Sequence, residues 1–70
     1  MRISARNNLA GEIRDVQKGA VNAEVTIALK SGDLVTAVIT NSSVDSLGLR
    51  KGTAAYAVIK ASDVMVGIDE

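Results

Sequence analysis

Two short clusters of hydrogen-bond donors lie near the two ends of this chain. The first is Ser4-Ala5-Arg6-Asn7, which combines a hydroxyl, a guanidinium and a carboxamide, and the second is Lys60-Ala61-Ser62. These groups donate hydrogen bonds to oxygen-rich anions, with arginine acting as a rigid fork of donors and lysine as a point charge. A tetrahedral dianion is well bound by hydroxyls, backbone N–H groups and one or two fixed positive charges. The two clusters therefore predict an anion site, provided that the fold brings them together.

A third set of donors is predicted where a short helix begins near Ser42. Ser42 with Asp45 three residues later resembles a capping box, and Gly48 suits the position just after a helix C-terminus. The start of such a helix offers unpaired N–H groups to an anion, with the hydroxyl of Ser43 close by. Taken one at a time, these features have simpler interpretations. Ser42 is more often only a cap, Arg6 a solvated surface residue and Lys60 a charge that protects a sheet edge.

The composition removes most catalytic and metal-ion chemistry. The 70 residues include no cysteine and no histidine, and Tyr56 is the only aromatic residue. Disulfides, the usual zinc and copper sites and the usual activated nucleophiles are therefore excluded, and Lys60 is the only evident base for a serine. The carboxylates are scattered along the sequence, which argues against a metal-cation site. We expect a binding protein and not an enzyme.

The net charge and the hydropathy of the chain limit the classes of partner that it can bind. The formal net charge is zero, so there is no basic excess to bind a polyanion, and one tyrosine cannot stack a row of bases. No apolar run reaches the length that spans a membrane, and the N-terminus lacks the apolar core of a signal peptide. The sequence thus predicts a cytoplasmic protein that binds neither nucleic acid nor membrane.

Short β-type runs separated by glycine-containing turns dominate the pattern. The predicted strands are residues 9–16, 21–29, 34–40, 53–61 and 64–68, with one short helix over residues 42–48. The second run alternates cleanly between apolar and polar residues. The third is apolar on both faces, so we expect it to be covered on both sides. The pattern predicts one domain, residues 1–70, with an all-β fold: a five-stranded Greek-key barrel of the oligonucleotide/oligosaccharide-binding (OB) type. An SH3-like barrel is the alternative.

A core built from valine, isoleucine, leucine and alanine in so short a chain is expected to need an additional source of stability. Domains of this size bury a modest fraction of their surface and commonly depend on a disulfide, a metal or a partner subunit. With the first two excluded by composition, the sequence predicts a homo-oligomer.

The order of motifs along the whole chain resembles the Mop domain. The resemblance begins with Ile3-Ser4-Ala5-Arg6-Asn7-Asn8-Leu9-Ala10-Gly11 and continues through Lys18-Gly19 and Val21-Asn22-Ala23-Glu24-Val25. It extends through Ala37-Val38-Ile39-Thr40, Ser43, Leu47-Gly48-Leu49, Gly52 and Ala57-Val58-Ile59-Lys60-Ala61. Single-domain members of this family are the molbindins, small cytoplasmic proteins that bind molybdate and tungstate. The resemblance implies an OB-type barrel that assembles as a hexamer, a trimer of dimers, with oxyanions held between subunits.

The resemblance also assigns site residues. The main oxyanion site would be formed by Ser4, Ala5, Arg6, Asn7, Thr40, Ser43, Lys60, Ala61 and Ser62, with Lys60 and Ala61 coming from a neighbouring subunit. A second site near the threefold axis would use the turn Gly19, Ala20, Val21 and Asn22, largely through backbone N–H groups. No cofactor is implied beyond the anion, and the implied role is molybdenum storage and homeostasis. A free-standing sensor that regulates a partner protein is the alternative. A pterin-binding role is attached to the family's name, but the sequence builds no aromatic or apolar pterin slot.

Overall fold

Four strands and one short helix form the body of the molecule. The computed structural model describes residues 1–70. Its elements are β1 (Asn7–Lys18), β2 (Asn22–Leu29), β3 (Leu34–Thr40), α1 (Asn41–Leu47), β4 (Ala54–Ile59) and a 3-10 turn (Ala61–Asp63). The strands make one antiparallel sheet in the order β3-β2-β1-β4. The all-β class and the single helix after the third strand are confirmed. None of the helical segments is long or apolar enough to cross a bilayer.

The fifth strand predicted over residues 64–68 is not present in the single chain, so the five-stranded count is not confirmed. The N–H of Val64 donates to the carbonyl of Ala61 at 3.3 Å, and no backbone hydrogen bond follows it. The segment has the composition of a strand, but no neighbouring strand pairs with its N–H and C=O groups. A strand needs such a partner, and composition alone cannot supply one.

A β-bulge bends the long first strand. The pairing of β1 with β2 shifts between Ile13 and Asp15. Strict alternation from Ile13 would put Asp15 on the core face, but the extra residue moves Val16 onto the core side and leaves Asp15 exposed. Next to the bulge, the N–H of Ile13 donates to the carbonyl of Thr53, and its carbonyl accepts from the N–H of Gly52, both at 2.8 Å. The bulge and this loop together curl the sheet around its core.

The core is small and centres on β2. Its members are Ile13, Ala23, Val25, Ile27, Val44 and Ala57, the only fully buried residues of the chain. The predicted alternation of β2 is confirmed from Ala23 to Ile27, whereas Val21 lies before the strand and is exposed. A core of six aliphatic residues leaves much apolar surface uncovered in the isolated chain.

The third strand is covered on one face only, so the prediction of two covered faces is wrong for the single chain. Val35, Ala37 and Ile39 pack toward the core side, while Leu34 and Val38 are exposed, Val38 at 67%. No element of the same chain lies over the outer face. The apolar residues there indicate a surface that another molecule covers.

Thr40, and not Ser42, caps the helix. The N–H of Ser43 donates to the Thr40 hydroxyl at 3.1 Å, and Thr40 has the extended backbone of an N-cap residue. The predicted Gly48 terminus is confirmed: this glycine is left-handed, with φ of 63°, and its N–H donates to the carbonyl of Asp45. Lys18 at the end of β1 forms an ion pair with Asp45 at 2.5 Å, which ties the helix to the sheet.

Candidate oxyanion-binding site

Strand pairing brings the two terminal donor clusters together. β1 and β4 are antiparallel, and Asn7 at the start of β1 pairs with Ile59 at the end of β4. The Asn7 side chain reinforces the pair by donating to the carbonyl of Ile59 at 3.2 Å. Residues that precede Asn7 must therefore lie beside those that follow Ile59. This register is the structural reason why Arg6 and Lys60 are neighbours although they are far apart in sequence.

The two clusters line one depression, which we name the terminal pocket. It has a volume of about 600 Å³ and is lined by Ile3, Ser4, Ala5, Arg6, Val58, Lys60, Ala61, Ser62 and Asp63. Six of the nine residues predicted for the main site are in this set. Asn7 lies at its edge, in the strand pair just described. The chain itself thus brings together a guanidinium, an ammonium and two hydroxyls.

The charged groups of the terminal pocket are available to a ligand. The one ion pair of the chain joins Lys18 to Asp45, so neither Arg6 nor Lys60 is neutralised by a carboxylate. Neither side chain donates a hydrogen bond within the chain. Asp63 also lines the pocket. Its carboxylate is an acceptor among donors, and it lowers the net charge of the lining side chains to one positive unit.

Asp63 was missed by the sequence reasoning, although a signal existed. It directly follows the Lys60-Ala61-Ser62 cluster, and the 3-10 turn Ala61–Asp63 folds it back so that its N–H donates to the carbonyl of Lys60 at 2.9 Å. Its position directly after Ser62 is the signal in the sequence that places it beside the donors.

Thr40 and Ser43 lie away from the terminal pocket. Thr40 pairs with Asn22 at the start of β2, next to Lys18 at the end of β1, whereas the pocket lies at the opposite end of that 12-residue strand. Their hydroxyls also bond to each other at 2.8 Å. The grouping in one chain therefore differs from the expected one: Lys60 and Ala61 join Ser4 and Arg6, and Thr40 and Ser43 stand apart.

The turn predicted for a second site lies beside Thr40. The N–H of Gly19 donates to the carbonyl of Asn22 at 2.7 Å, so this group is already used within the turn. Asn41, which was not among the predicted site residues, holds the turn. Its side chain donates to the carbonyl of Gly19 at 2.9 Å, and its backbone N–H donates to the carbonyl of Val21 at 2.8 Å. The Asn41 Oδ1 atom is buried without a hydrogen-bond partner. The turn is thus held by two hydrogen bonds from Asn41, with Ala20 and Val21 at its exposed tip.

Together these features define a class of protein: a small, half-open antiparallel β domain with a polar pocket that carries two unpaired cations. The sequence profile of the TOBE domain matches residues 3–66. The chain is 48% identical over 66 residues to molybdenum-pterin-binding protein 3 of Clostridium pasteurianum, covering 94% of this chain and 97% of that one. It therefore belongs to the TOBE-domain family of molybdenum-pterin-binding (Mop) proteins, and the resemblance drawn from its motifs is confirmed.

Two further comparisons extend this placement to larger proteins. The solved structure of the cytoplasmic molybdate-binding protein ModG, with molybdate bound, superposes with a TM-score of 0.93 and 49% identity. The match covers 99% of this chain and 49% of the ModG chain. The molybdenum transport protein ModE of Azotobacter vinelandii is 47% identical over 68 residues, which are 97% of this chain and 25% of ModE. The same fold is thus found in relatives of very different length.

Proposed function

We propose that this protein binds molybdate or tungstate without chemical conversion, as a single Mop domain over residues 1–70. The anion would be held between subunits of a cytoplasmic homo-oligomer, a hexamer built as a trimer of dimers, and the role would be molybdenum storage and homeostasis. The observation that carries the proposal is the terminal pocket, where Arg6 and Lys60 lie beside two serine hydroxyls with no carboxylate paired to either cation. Membership of the family, whose relatives include a molybdate-binding protein, supports molybdate as the anion.

The separation of the site residues supports an anion held between copies. Arg6 and Lys60 lie at one end of β1, and Thr40 and Ser43 lie at the other. Both groups can contact one anion only if they come from different chains. The terminal pocket is also much larger than a tetrahedral oxyanion of five heavy atoms, so a second chain is needed to close it. Ligand binding across the interface would then stabilise the assembly by mass action.

Selectivity would follow from the donors that surround the anion. Molybdate at neutral pH is a dianion without a proton, so it suits the donors of the terminal pocket, where Asp63 is the one carboxylate. Protonated phosphate would direct an O–H at a donor wherever that O–H does not face Asp63, and each buried group left unpaired costs about 1–3 kcal/mol. Sulfate is also unprotonated, so discrimination against it would depend on the size of the closed site.

Isothermal titration with molybdate, tungstate, sulfate and phosphate tests the proposal. We expect saturable binding of molybdate and tungstate, and weaker binding of sulfate and phosphate at equal ionic strength. Native mass spectrometry of the same samples would give the subunit number and the anion count together. Absent molybdate binding, or equal affinity for all four anions, would refute the proposed function.

Replacing Asp63 by asparagine is expected to strengthen molybdate binding about fivefold. The substitution removes the only negative charge that lines the terminal pocket. Like charges a few ångströms apart in water repel by about 1 kcal/mol, and the effect falls with added salt. Titration at low and high salt should show the gain shrinking as salt rises.

Asp15→Asn is the matched control for this change. Asp15 is exposed on β1, does not line the pocket, and accepts from Gln17 through an oxygen that asparagine retains. We expect its molybdate affinity to equal that of the wild type. If Asp63→Asn leaves the affinity unchanged or lowers it, the carboxylate does not face the anion.

A sensing role is the second candidate. The observation that favours it is the match to ModE, where a domain like this one forms a quarter of a larger protein. A free-standing copy could bind the anion and then regulate a separate partner. Affinity capture from cell extract with and without molybdate separates the two roles, because only a sensor would retain a specific protein in an anion-dependent way.

A further inference from the structure

Asp63 is the only carboxylate among the side chains that line the terminal pocket. A carboxylate accepts hydrogen bonds and donates none, whereas Arg6 and Lys60 donate and do not accept, and the two serine hydroxyls can do either. An anion that presents only unprotonated oxygens satisfies the two cations but directs negative charge toward Asp63. Such an anion therefore leaves one polar side chain of the pocket without a suitable partner.

The backbone of the 3-10 turn determines where this carboxylate lies. The N–H of Asp63 donates to the carbonyl of Lys60 at 2.9 Å, and the N–H of Val64 donates to the carbonyl of Ala61 at 3.3 Å. Side chains three residues apart in a turn of this kind lie on the same side of it. Lys60 and Asp63 are three residues apart, and both line the pocket. The turn thus presents an ammonium and a carboxylate to the same space.

The carboxylate of Asp63 is not used within the chain. The carboxylates of Asp15, Asp33 and Asp45 each accept a hydrogen bond from another side chain, but no side chain donates to Asp63. The one ion pair of the chain joins Lys18 to Asp45, so Asp63 is paired with neither cation of the pocket. Its acceptor sites are therefore free, beside two cations that are also free.

A tetrahedral oxyanion that retains one O–H would satisfy all three charged groups. Its unprotonated oxygens would accept from Arg6 and Lys60, and its hydroxyl would donate to Asp63. Hydrogen phosphate and hydrogen arsenate are oxyanions of this kind, whereas sulfate has nearly the size and shape of phosphate but no proton. A hydrogen bond to an ionised acceptor is roughly twice as strong as one between neutral groups. The carboxylate is therefore a better acceptor for the hydroxyl than either serine is.

We propose that Asp63 determines the specificity of the terminal pocket, because it accepts the hydroxyl of a protonated tetrahedral oxyanion and so admits hydrogen phosphate as a competing ligand. The same carboxylate repels a fully deprotonated anion, so it disfavours sulfate and weakens the binding of molybdate. The inference rests on the proposed anion site, and it adds a second class of ligand and the residue that selects it. Loading with molybdate would then depend on the concentration of phosphate.

A comparison of phosphate with sulfate isolates the contribution of the hydroxyl. Both would be titrated calorimetrically into wild type and Asp63→Asn at one ionic strength and at mildly alkaline pH, where phosphate is mainly a dianion with one O–H. The variant should bind sulfate more tightly than the wild type does, because a repulsion is removed. It should bind phosphate no more tightly, because the O–H loses its charged acceptor. The ratio of phosphate affinity to sulfate affinity should fall about tenfold, which corresponds to about 1.4 kcal/mol.

Three further variants separate the hydrogen bond from a general effect of charge. Asp15→Asn removes a negative charge outside the pocket and should keep the wild-type ratio. Asp63→Ala should lose the preference for phosphate as Asp63→Asn does, and Asp63→Glu, which restores a carboxylate, should recover part of it. Charge alone would shift the affinities for the two dianions equally. An unchanged ratio in Asp63→Asn would therefore overturn the proposal.

Arsenate provides an independent test, because it keeps one O–H under the same conditions but is larger than phosphate. If the hydroxyl is recognised, the ratio of arsenate affinity to sulfate affinity should also fall in Asp63→Asn. If arsenate instead gains affinity in this variant by the same factor as molybdate, the O–H does not face Asp63 and the proposal is wrong. Thermal unfolding of each variant without ligand would confirm that the subunit stays folded, as expected for an exposed side chain without a hydrogen bond.

The failure of this inference is distinguishable from the failure of the proposed function. A wild-type protein that binds molybdate, and whose ratio of phosphate to sulfate affinity is unchanged in Asp63→Asn, retains its function and refutes only the role of Asp63. A protein that shows the shift in this ratio but does not bind molybdate refutes the function and leaves the role of Asp63 intact. A protein that binds none of the anions refutes both.

Discussion

Arg6→Ala is expected to weaken molybdate binding about tenfold to a hundredfold while the subunit stays folded. A hydrogen bond to a charged group contributes about 1.5–3 kcal/mol, and each 1.4 kcal/mol is a factor of ten in affinity. The Arg6 side chain lines the terminal pocket and donates to no group of its own chain, so its removal leaves no buried partner unsatisfied. Titration with molybdate and thermal unfolding without ligand measure the two effects separately.

Arg2→Ala is the matched control for Arg6→Ala. It removes the same charge from the same exposed N-terminal stretch, but Arg2 does not line the pocket. Its affinity should fall much less, and the difference between the two variants should persist at high salt, because it reflects direct contact and not a long-range field. Arg6→Lys should recover part of the lost affinity, since it restores the charge but not the fork of donors. Normal molybdate binding by Arg6→Ala would remove Arg6 from the site.

Local patterns in the sequence were enough to predict most of the single-chain fold. The period-two alternation of β2 marks Ala23, Val25 and Ile27, and these residues form the centre of the core. The hairpin between β2 and β3 turns at Gly32, whose φ of 96° is readily adopted only by glycine. Gly48 ends the helix for the same reason. In each case the residue type itself determines the backbone geometry, so no distant contact is needed to predict it.

Features that depend on a distant or second partner could not be predicted in the same way. The bulge after Ile13 lies where the loop at Gly52 and Thr53 bonds to the backbone of β1, and the alternation within β1 does not indicate that loop. The two apolar faces of β3 indicated cover on both sides, yet the single chain covers only one. Val66 is of a residue type that favours strands, yet no strand lies beside it. The pattern there marks apolar residues that the single chain leaves uncovered.

In the candidate site, too, some features could be predicted from the local sequence and others depend on contacts between distant residues. The donors Ser4, Arg6 and Lys60 were identified by residue type, and the register of Asn7 with Ile59 then brings them together. Residue type alone did not show which of these donors lie close together in one chain. Thr40 is separated from Ser4, Arg6 and Lys60 by the length of β1. In one chain the two terminal donor clusters therefore lie together, and Thr40 lies at the other end of β1.

Gly11→Ala is expected to destabilise the sheet strongly, although it adds only one methyl group. Gly11 lies in β1 between Leu29 of β2 and Ala55 of β4, and a Cβ atom built there would be 2.3 Å from the carbonyl oxygen of Ala28 and 2.9 Å from its carbon. These are backbone atoms of a paired strand, so they cannot rotate away as a side chain would. Overpacking usually costs about 1–3 kcal/mol, and we expect the upper end of that range here.

Such a loss would lower the melting temperature by more than about 10 °C, since each kcal/mol corresponds to about 4–8 °C in a domain of this size. Gly67→Ala is the control, because a Cβ there meets no atom within 4 Å and the backbone is not left-handed. Its melting temperature should stay close to that of the wild type when all proteins are compared at one concentration, as the proposed homo-oligomer requires. If Gly11→Ala melted at the same temperature as Gly67→Ala, β1 and β2 would be able to move apart at little cost in free energy. Close backbone packing at Gly11 would then not hold the sheet together.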